Sequence, residues 1–214
     1  MTRIALLHTG AVNIAPFGAL TRAHWPGVET MNLLDDKIVA DLPTPRAPSV
    51  AERLQDLVGT AVAAGADAVL LTCSSISEYA AGLSREAGIP VLRVDEAVAD
   101  AAVAAGRRIA VIATLPTTLG PSVRLVQERA ALAGAEPEVS EVLVDGAFEA
   151  VAAGDTATPD RLVGEAVVRA AASSDVVVLA QASMATAAQA VTVSVPVLTS
   201  PEPAVLRAKE VLGL

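Results

Sequence analysis

The chain has 214 residues and a formal net charge of −9, with an isoelectric point near 4.7, which argues against a nucleic-acid partner because phosphate binding needs a basic field. Hydrophobic residues make up 53% of it but aromatics only 2%, so Ala, Val and Leu must fill the core of one large domain or two packed halves. Mean hydropathy is +0.53, yet Asp67, Asp100, Asp175 and Gln181 interrupt every apolar run before it reaches the roughly 18 to 20 residues of a spanning helix, and the expectation is a soluble, cytoplasmic protein with no membrane partner.

The start, Met1-Thr2-Arg3-Ile4-Ala5-Leu6-Leu7-His8, reads as a first strand rather than a signal peptide, since its apolar stretch is short and no small-residue cleavage site follows. Along the chain, strands are expected at about 3–8, 28–34, 68–72, 90–94, 108–113, 139–144, 176–180 and 195–199. Helical patterns alternate with them near 17–24, 49–64, 77–87, 96–105, 119–133, 146–153, 159–172, 184–190 and 202–212. Ser49 and Pro159 mark helix starts, and Gly65, Gly88, Gly106 and Gly134 mark stops. Asp35 and Asp145 read as helix caps, while Asp41 to Pro48, with three prolines, reads as an extended connector. His24-Trp25 is expected to pack at a helix end. Strand-helix alternation of this kind argues for α/β architecture with mostly parallel sheets, and the continuous apolar runs at 68–72 and 176–180 suit strands buried on both faces.

The elements occur twice. Arg3-Ile4-Ala5-Leu6-Leu7-His8-Thr9 is answered by Arg108-Ile109-Ala110-Val111-Ile112-Ala113-Thr114, and Ala68 to Ile76 by Val176 to Met184. Ile89-Pro90-Val91-Leu92 is answered by Val195-Pro196-Val197-Leu198. The spacing, roughly 105 to 108 residues, indicates one duplication rather than an array. The expected division is 1–94 plus a C-terminal helix at about 201–214 as the first α/β half, and 95–200 as the second.

Ligands of open α/β sheets bind at the carboxyl ends of parallel strands, where helix N-termini favour anions. The segments there are His8-Thr9-Gly10-Ala11-Val12-Asn13, Cys73-Ser74-Ser75, Thr114-Leu115-Pro116-Thr117-Thr118 and Gln181-Ala182-Ser183. They are small and hydroxyl-rich, which suits a small carboxylate held by neutral donors, and the threonines also suit the cap of the helix that follows. No G-x-G-x-x-G or Walker-type loop occurs, so nucleotide chemistry has weak support. A lone Cys73 can form no internal disulfide, and no Cys/His spacing resembles a zinc site. Its thiol is either inert packing or a reactive group at a strand end. His8, at the end of the first strand, is either a second base or a polar residue satisfied by its neighbours.

Together and in this order, the duplicated halves, Thr72-Cys73-Ser74-Ser75, the strand end Ile112-Ala113-Thr114 with its following threonines, and Asp145-Gly146-Ala147-Phe148 leading to Ala153-Gly154-Asp155 resemble the aspartate/glutamate/hydantoin racemase superfamily. The resemblance implies two pseudo-symmetric Rossmann-like halves with the active-site cleft between them, no cofactor and no metal. It implies a small carboxylate substrate and is compatible with a homo-oligomer. In that family two cysteines serve the two faces of one carbon. Cys73 occupies the first position, and Gln181 stands where the second cysteine is normally found. An amide has no accessible protonation state near pH 7, so ordinary two-base racemisation is not expected.

What the resemblance implies instead is proton transfer by Cys73 alone at the carbon alpha to the carboxylate. Substrate-binding residues would be His8, Thr9, Asn13, Ser74, Ser75, Thr114, Thr117, Thr118, Gln181, Ala182 and Ser183, with Gln181 as an orienting amide. The alternatives are an arylmalonate-decarboxylase-like lyase, or a carboxylate-binding protein without catalysis.

Overall fold

The computed structural model describes residues 1–152, 155 and 157–214. Contacts divide the chain into two compact units, Met1–Val94 with Pro201–Leu214, and Asp95–Ser200. The first contains β1 (Arg3–His8), α1 (Ile14–His24), β2 (Glu29–Leu34), α2 (Ile38–Asp41), α3 (Val50–Ala63), β3 (Ala68–Leu71), α4 (Ala80–Ala87) and β4 (Val91–Arg93). The second contains α5 (Glu96–Ala105), β5 (Arg108–Ala113), α6 (Pro116–Leu132), β6 (Glu138–Leu143), α7 (Ala147–Ala152), α8 (Ala157–Ala171), β7 (Val176–Leu179), α9 (Ala185–Gln189) and β8 (Val197–Thr199). The last helix, α10 (Pro201–Val211), follows β8 in the chain but belongs to the first unit, just as α5 follows β4 but belongs to the second.

Each unit holds one four-stranded parallel sheet, in the orders β2-β1-β3-β4 and β6-β5-β7-β8. Of the central strands, β3 and β7 are apolar and buried at every residue because both faces are covered, while β1 and β5 each open on an arginine. Alternation then sends Ala5, Leu7, Val69 and Leu71 to one face, where they pack on Val50, Leu54, Val58 and Ala61 of α3. In the second unit Ile109, Val111 and Val178 meet α5 and α6, while Ala110, Ile112, Val177 and Leu179 meet α8 and α9. With so few aromatics, closeness of approach replaces bulk; Ala61, Ala102 and Ala166 are all essentially buried.

The duplication extends to single hydrogen bonds. Asp67 N–H donates to Arg3 O and Asp175 N–H to Arg108 O, both at 2.8 Å. Val69 N–H meets Pro90 O and Val177 N–H meets Pro196 O, both at 2.9 Å. At the other sheet end, Thr72 N–H reaches Leu7 O and Ala180 N–H reaches Ile112 O. Hence Cys73 and Gln181 are equivalent positions in the two folds.

All eight expected strands are present within two residues of the stated bounds. Helix bounds differ more. The α6 helix begins at Pro116 rather than near 119, because proline suits the first helical position, and Pro121 inside it masks the helical pattern. The residues directly after Cys73 form a 3-10 helix, Ser74–Tyr79, before α4 begins. The expected cap Ser49 is one: it accepts Glu52 N–H while the Glu52 carboxylate takes Ser49 N–H, a capping box worth about 1 kcal/mol. Asp35 is not a cap. Burial works against its ionisation, but hydrogen bonds from Arg53 and from Lys37 N–H outweigh that and hold it below the usual carboxylate range. Arg53 also grips Asp41 at 2.7 Å, and Arg46 joins Asp41 at 3.3 Å, so the proline-rich connector is tied to α3 at its start. Trp25 closes α1 as a buried packing residue. Ala153 and Gly154 of one family-like segment, the former also the last residue of the expected helix over 146–153, lie outside the described residues.

Candidate functional site

At the carboxyl end of the first sheet His8 and Asn13 meet Thr72, the residue before Cys73. His8 is fully buried and uses both ring nitrogens: Nδ1 meets Thr72 Oγ1 at 2.8 Å and Nε2 meets Asn32 Oδ1 at 3.0 Å. The Thr72 hydroxyl also lies 3.1 Å from Leu7 O, to which it donates, so its single proton has two neighbours to serve, Leu7 O and Nδ1. The ring lies edge-on to Phe17 at a centroid distance of 6.2 Å. Burial pushes the His8 imidazole below its ordinary 6.5, partly opposed by the Asn32 hydrogen bond. Both ring nitrogens of His8 have partners within the first unit.

Asn13 donates from Nδ2 to Thr72 O at 3.4 Å, which ties the loop after β1 to the residue before the cysteine. Cys73 is partly exposed, reduced and packed against the α3-side core. Its carbonyl accepts from Ile76 N–H and from the Ser77 hydroxyl, so the backbone bearing the thiol is pinned. Ser74 and Ser75 are buried beside it, and Thr9 is partly exposed. Thr72, quoted within the family-like segment but not among the expected substrate-binding residues, and Asn32, not singled out at all, complete this network. Thr72 carried a signal, being the polar residue that ends an otherwise apolar strand; Asn32 lies on an edge strand where polar residues are unremarkable.

In the second unit, Gln181 occupies the cysteine's place with nearly the same backbone. Cys73 has φ −134° and ψ 122°, and Gln181 has φ −119° and ψ 136°; each precedes a 3-10 helix. Gln181 Oε1 accepts from Thr114 N–H at 2.6 Å and from Thr114 Oγ1 at 2.9 Å. Thr114 is therefore a clamp on Gln181 and not the cap of α6, whose N-cap is Leu115 without a side-chain bond. Thr117 and Thr118 fall in the first turn of α6, and the buried Thr117 hydroxyl has no hydrogen-bond partner among the described residues. Ala182 is partly exposed and Ser183 exposed. Among the described residues no group of three His, Cys, Asp or Glu side chains is placed to hold a metal, and no helix is long and apolar enough to cross a membrane.

The fold and these strand-end groups define a duplicated α/β protein with one thiol and one amide at equivalent positions. The family model described as Asp/Glu/Hydantoin racemase matches residues 18–208, and the chain belongs to that family. Among solved structures it is similar to allantoin racemase from Klebsiella pneumoniae, with 20% identity and a TM-score of 0.70, covering 100% of this chain and 88% of that one. It is also similar to glutamate racemase from Aquifex pyrophilus, with 18% identity and a TM-score of 0.72, covering 98% of this chain and 84% of that one. An arylmalonate decarboxylase variant in a sulfate-associated form shares 21% identity at a TM-score of 0.62, covering 99% of this chain and 93% of that one. No curated protein matches by sequence.

Proposed function

We propose that this protein is a cofactor-independent enzyme of the racemase family that transfers a proton at the carbon alpha to a small carboxylate, with Cys73 as the sole acid/base. The observation that carries this reading is the equivalence of Cys73 and Gln181, supported by matched backbone angles and matched hydrogen bonds. The Cys73 thiolate takes the α-proton, the electron pair moves into the carboxylate as an enediolate, and the resulting thiol returns a proton to the carbon. Gln181 has no proton to exchange near pH 7, so the reaction proceeds on one face. Hydroxyl and amide donors of the kind gathered at these strand ends suit the developing negative charge. His8 stays outside the proton transfer, since both its nitrogens are already committed.

One thiol also suffices to protonate an enediolate left when a substituted malonate loses carbon dioxide, and the likeness to a decarboxylase fold keeps that reading as the second. The experiment follows amino, hydroxy and arylmalonic acids in deuterated water by proton NMR and optical rotation, with wild type and Cys73→Ser. The expected result is α-deuteration without inversion, slowed at least about 100-fold in the serine variant. Inversion at the rate of exchange, or an unaffected serine variant, overturns the single-thiol mechanism. Release of carbon dioxide from the malonates selects the lyase. Binding without any Cys73-dependent turnover selects a carboxylate-binding protein.

A further inference from the structure

Within the second unit, a groove of about 420 Å³ runs along α8 and the segment that follows α9. It begins with a glycine. Gly164 is buried mid-way along α8, where glycine weakens a helix relative to alanine. A Cβ there would lie 3.0 Å from Val191 Cγ1, so the missing side chain lets the segment after α9 lie close against the helix. Gly164, Val168, Ala190 and Val191 supply the apolar lining, and Val168 is left 52% exposed. The charges around this lining are unevenly matched. Asp160 accepts from the Thr186 hydroxyl at 2.7 Å. Glu165 has an arginine four residues away on either side, and it pairs with Arg161 at 2.7 Å. Arg169 is left over: it lines the groove, is exposed, and has no hydrogen bond or ion pair among the described residues.

We infer that this groove is a binding site for an aliphatic monocarboxylate, with the hydrocarbon chain on Val168, Ala190 and Val191 and the carboxylate on the Arg169 guanidinium. A guanidinium fork matches a carboxylate with two parallel bonds. An amine would find both acidic groups of the groove already partnered, and a ring would find no aromatic side chain to stack on. Neither Cys73 nor Gln181 takes part, so this site and the proton-transfer reading can fail separately.

The test titrates the full chain, labelled with nitrogen-15, with octanoate below its micellar concentration. Backbone amide signals of residues 164–169 and 190–191 are expected to move saturably. Affinity should rise about 2-fold or more per methylene from hexanoate to octanoate, since a fully buried methylene is worth about 4-fold. Octylamine should leave the same signals in place. Arg169→Gln should bind octanoate about 5-fold more weakly or worse, through loss of the charge-assisted pair, and Val168→Glu, which sets a carboxylate in the groove, should not bind it. Amides that octanoate leaves in place overturn the site. Octylamine binding as well as octanoate, or Arg169→Gln binding as tightly as wild type, overturns the carboxylate assignment. Circular dichroism checks that both variants fold; should either fail to, the contrast between octanoate and octylamine in wild type decides alone.

Discussion

Two glycine-to-alanine substitutions should change stability in opposite directions. Gly106 ends α5 with φ 177°, an extended backbone that any residue adopts, so its need for glycine is spatial. A Cβ there would lie 2.4 Å from Asp175 Cβ and 3.2 Å from both Cγ and Oδ2. Ordinary carbon contacts begin about 1 Å further out. Asp175 cannot swing aside freely, because its carboxylate accepts from Arg107 N–H, Arg108 N–H and the Arg108 guanidinium. These bonds hold its pKa down at about 2, against an ordinary 3.8. Overpacking of this kind costs about 1–3 kcal/mol, and at the upper half of that range Gly106→Ala should melt about 4–12 °C lower for a chain of this size. Gly59 lies mid-way along α3, and an alanine Cβ there would have nothing within 4 Å; Gly59→Ala should gain up to about 1 kcal/mol from helix propensity, or about 2–4 °C. Differential scanning calorimetry reads both. A lowered carboxylate pKa contributes stability that is present above pH 3.8 and lost as the pH falls toward about 2. The deficit of Gly106→Ala should therefore shrink in acid as the wild type loses the same bonds. A Gly106→Ala protein that melts with wild type, or a deficit that grows in acid, refutes the steric argument.

Two further outcomes follow from the strand-end residues. Gln181→Cys supplies the second thiol that two-base chemistry requires, and the expected gain is racemisation of whichever acid wild type only exchanges, measured by optical rotation; exchange that remains free of inversion counts against the family mechanism. Burial holds the His8 pKa below 6.5, so the unfolded chain binds more protons than the native state below that pH. Its contribution is thus complete above pH 6.5 and is lost as the pH falls from 6.5 toward the folded value. Urea titrations should show wild type losing more stability than His8→Gln across that window, and parallel losses would mean that His8 is not titrating.

The fold was legible because its determinants are periodic and local. Val176 to Leu179 can hardly be anything but a buried parallel strand, and Ser49 with Glu52 announces a helix start three residues apart. Other parts of the sequence were silent for physical reasons. The local bond of Asp35 to Lys37 N–H is the part that sequence can suggest, whereas its second partner Arg53 is 18 residues away and comes near only through packing. The same holds for Thr114, whose partner lies 67 residues on. The 3-10 turn after Cys73 has no propensity signature distinct from an ordinary helix start. Cys73 and Gln181 could be paired from sequence alone because the repeat supplied the alignment; the polarity of the amide could not.

The two ends of the sheets have been treated differently by the duplication. At the amino ends, Arg3 N–H meets Asp67 at 2.8 Å and Arg108 N–H meets Asp175 at 2.9 Å, and Glu29 N–H and Glu138 N–H dock the edge strands in the same register. Such bonds fix which residues pair, and a changed partner would leave backbone groups without acceptors. At the carboxyl ends His8 is answered by Ala113 and Cys73 by Gln181, beyond the last strand-to-strand bonds of each central pair, although the Gln181 side chain does accept the Thr114 N–H. A cysteine and a glutamine can both follow such a strand because its last backbone bond is made one residue earlier, by Thr72 or Ala180. Chemistry could therefore diverge between the halves without disturbing the pairing that builds each sheet. Gln181→Cys leaves that pairing alone but removes the acceptor of the Thr114 N–H and hydroxyl, so it should melt below wild type by the cost of about one unmet backbone hydrogen bond, and its racemisation is read on the folded fraction.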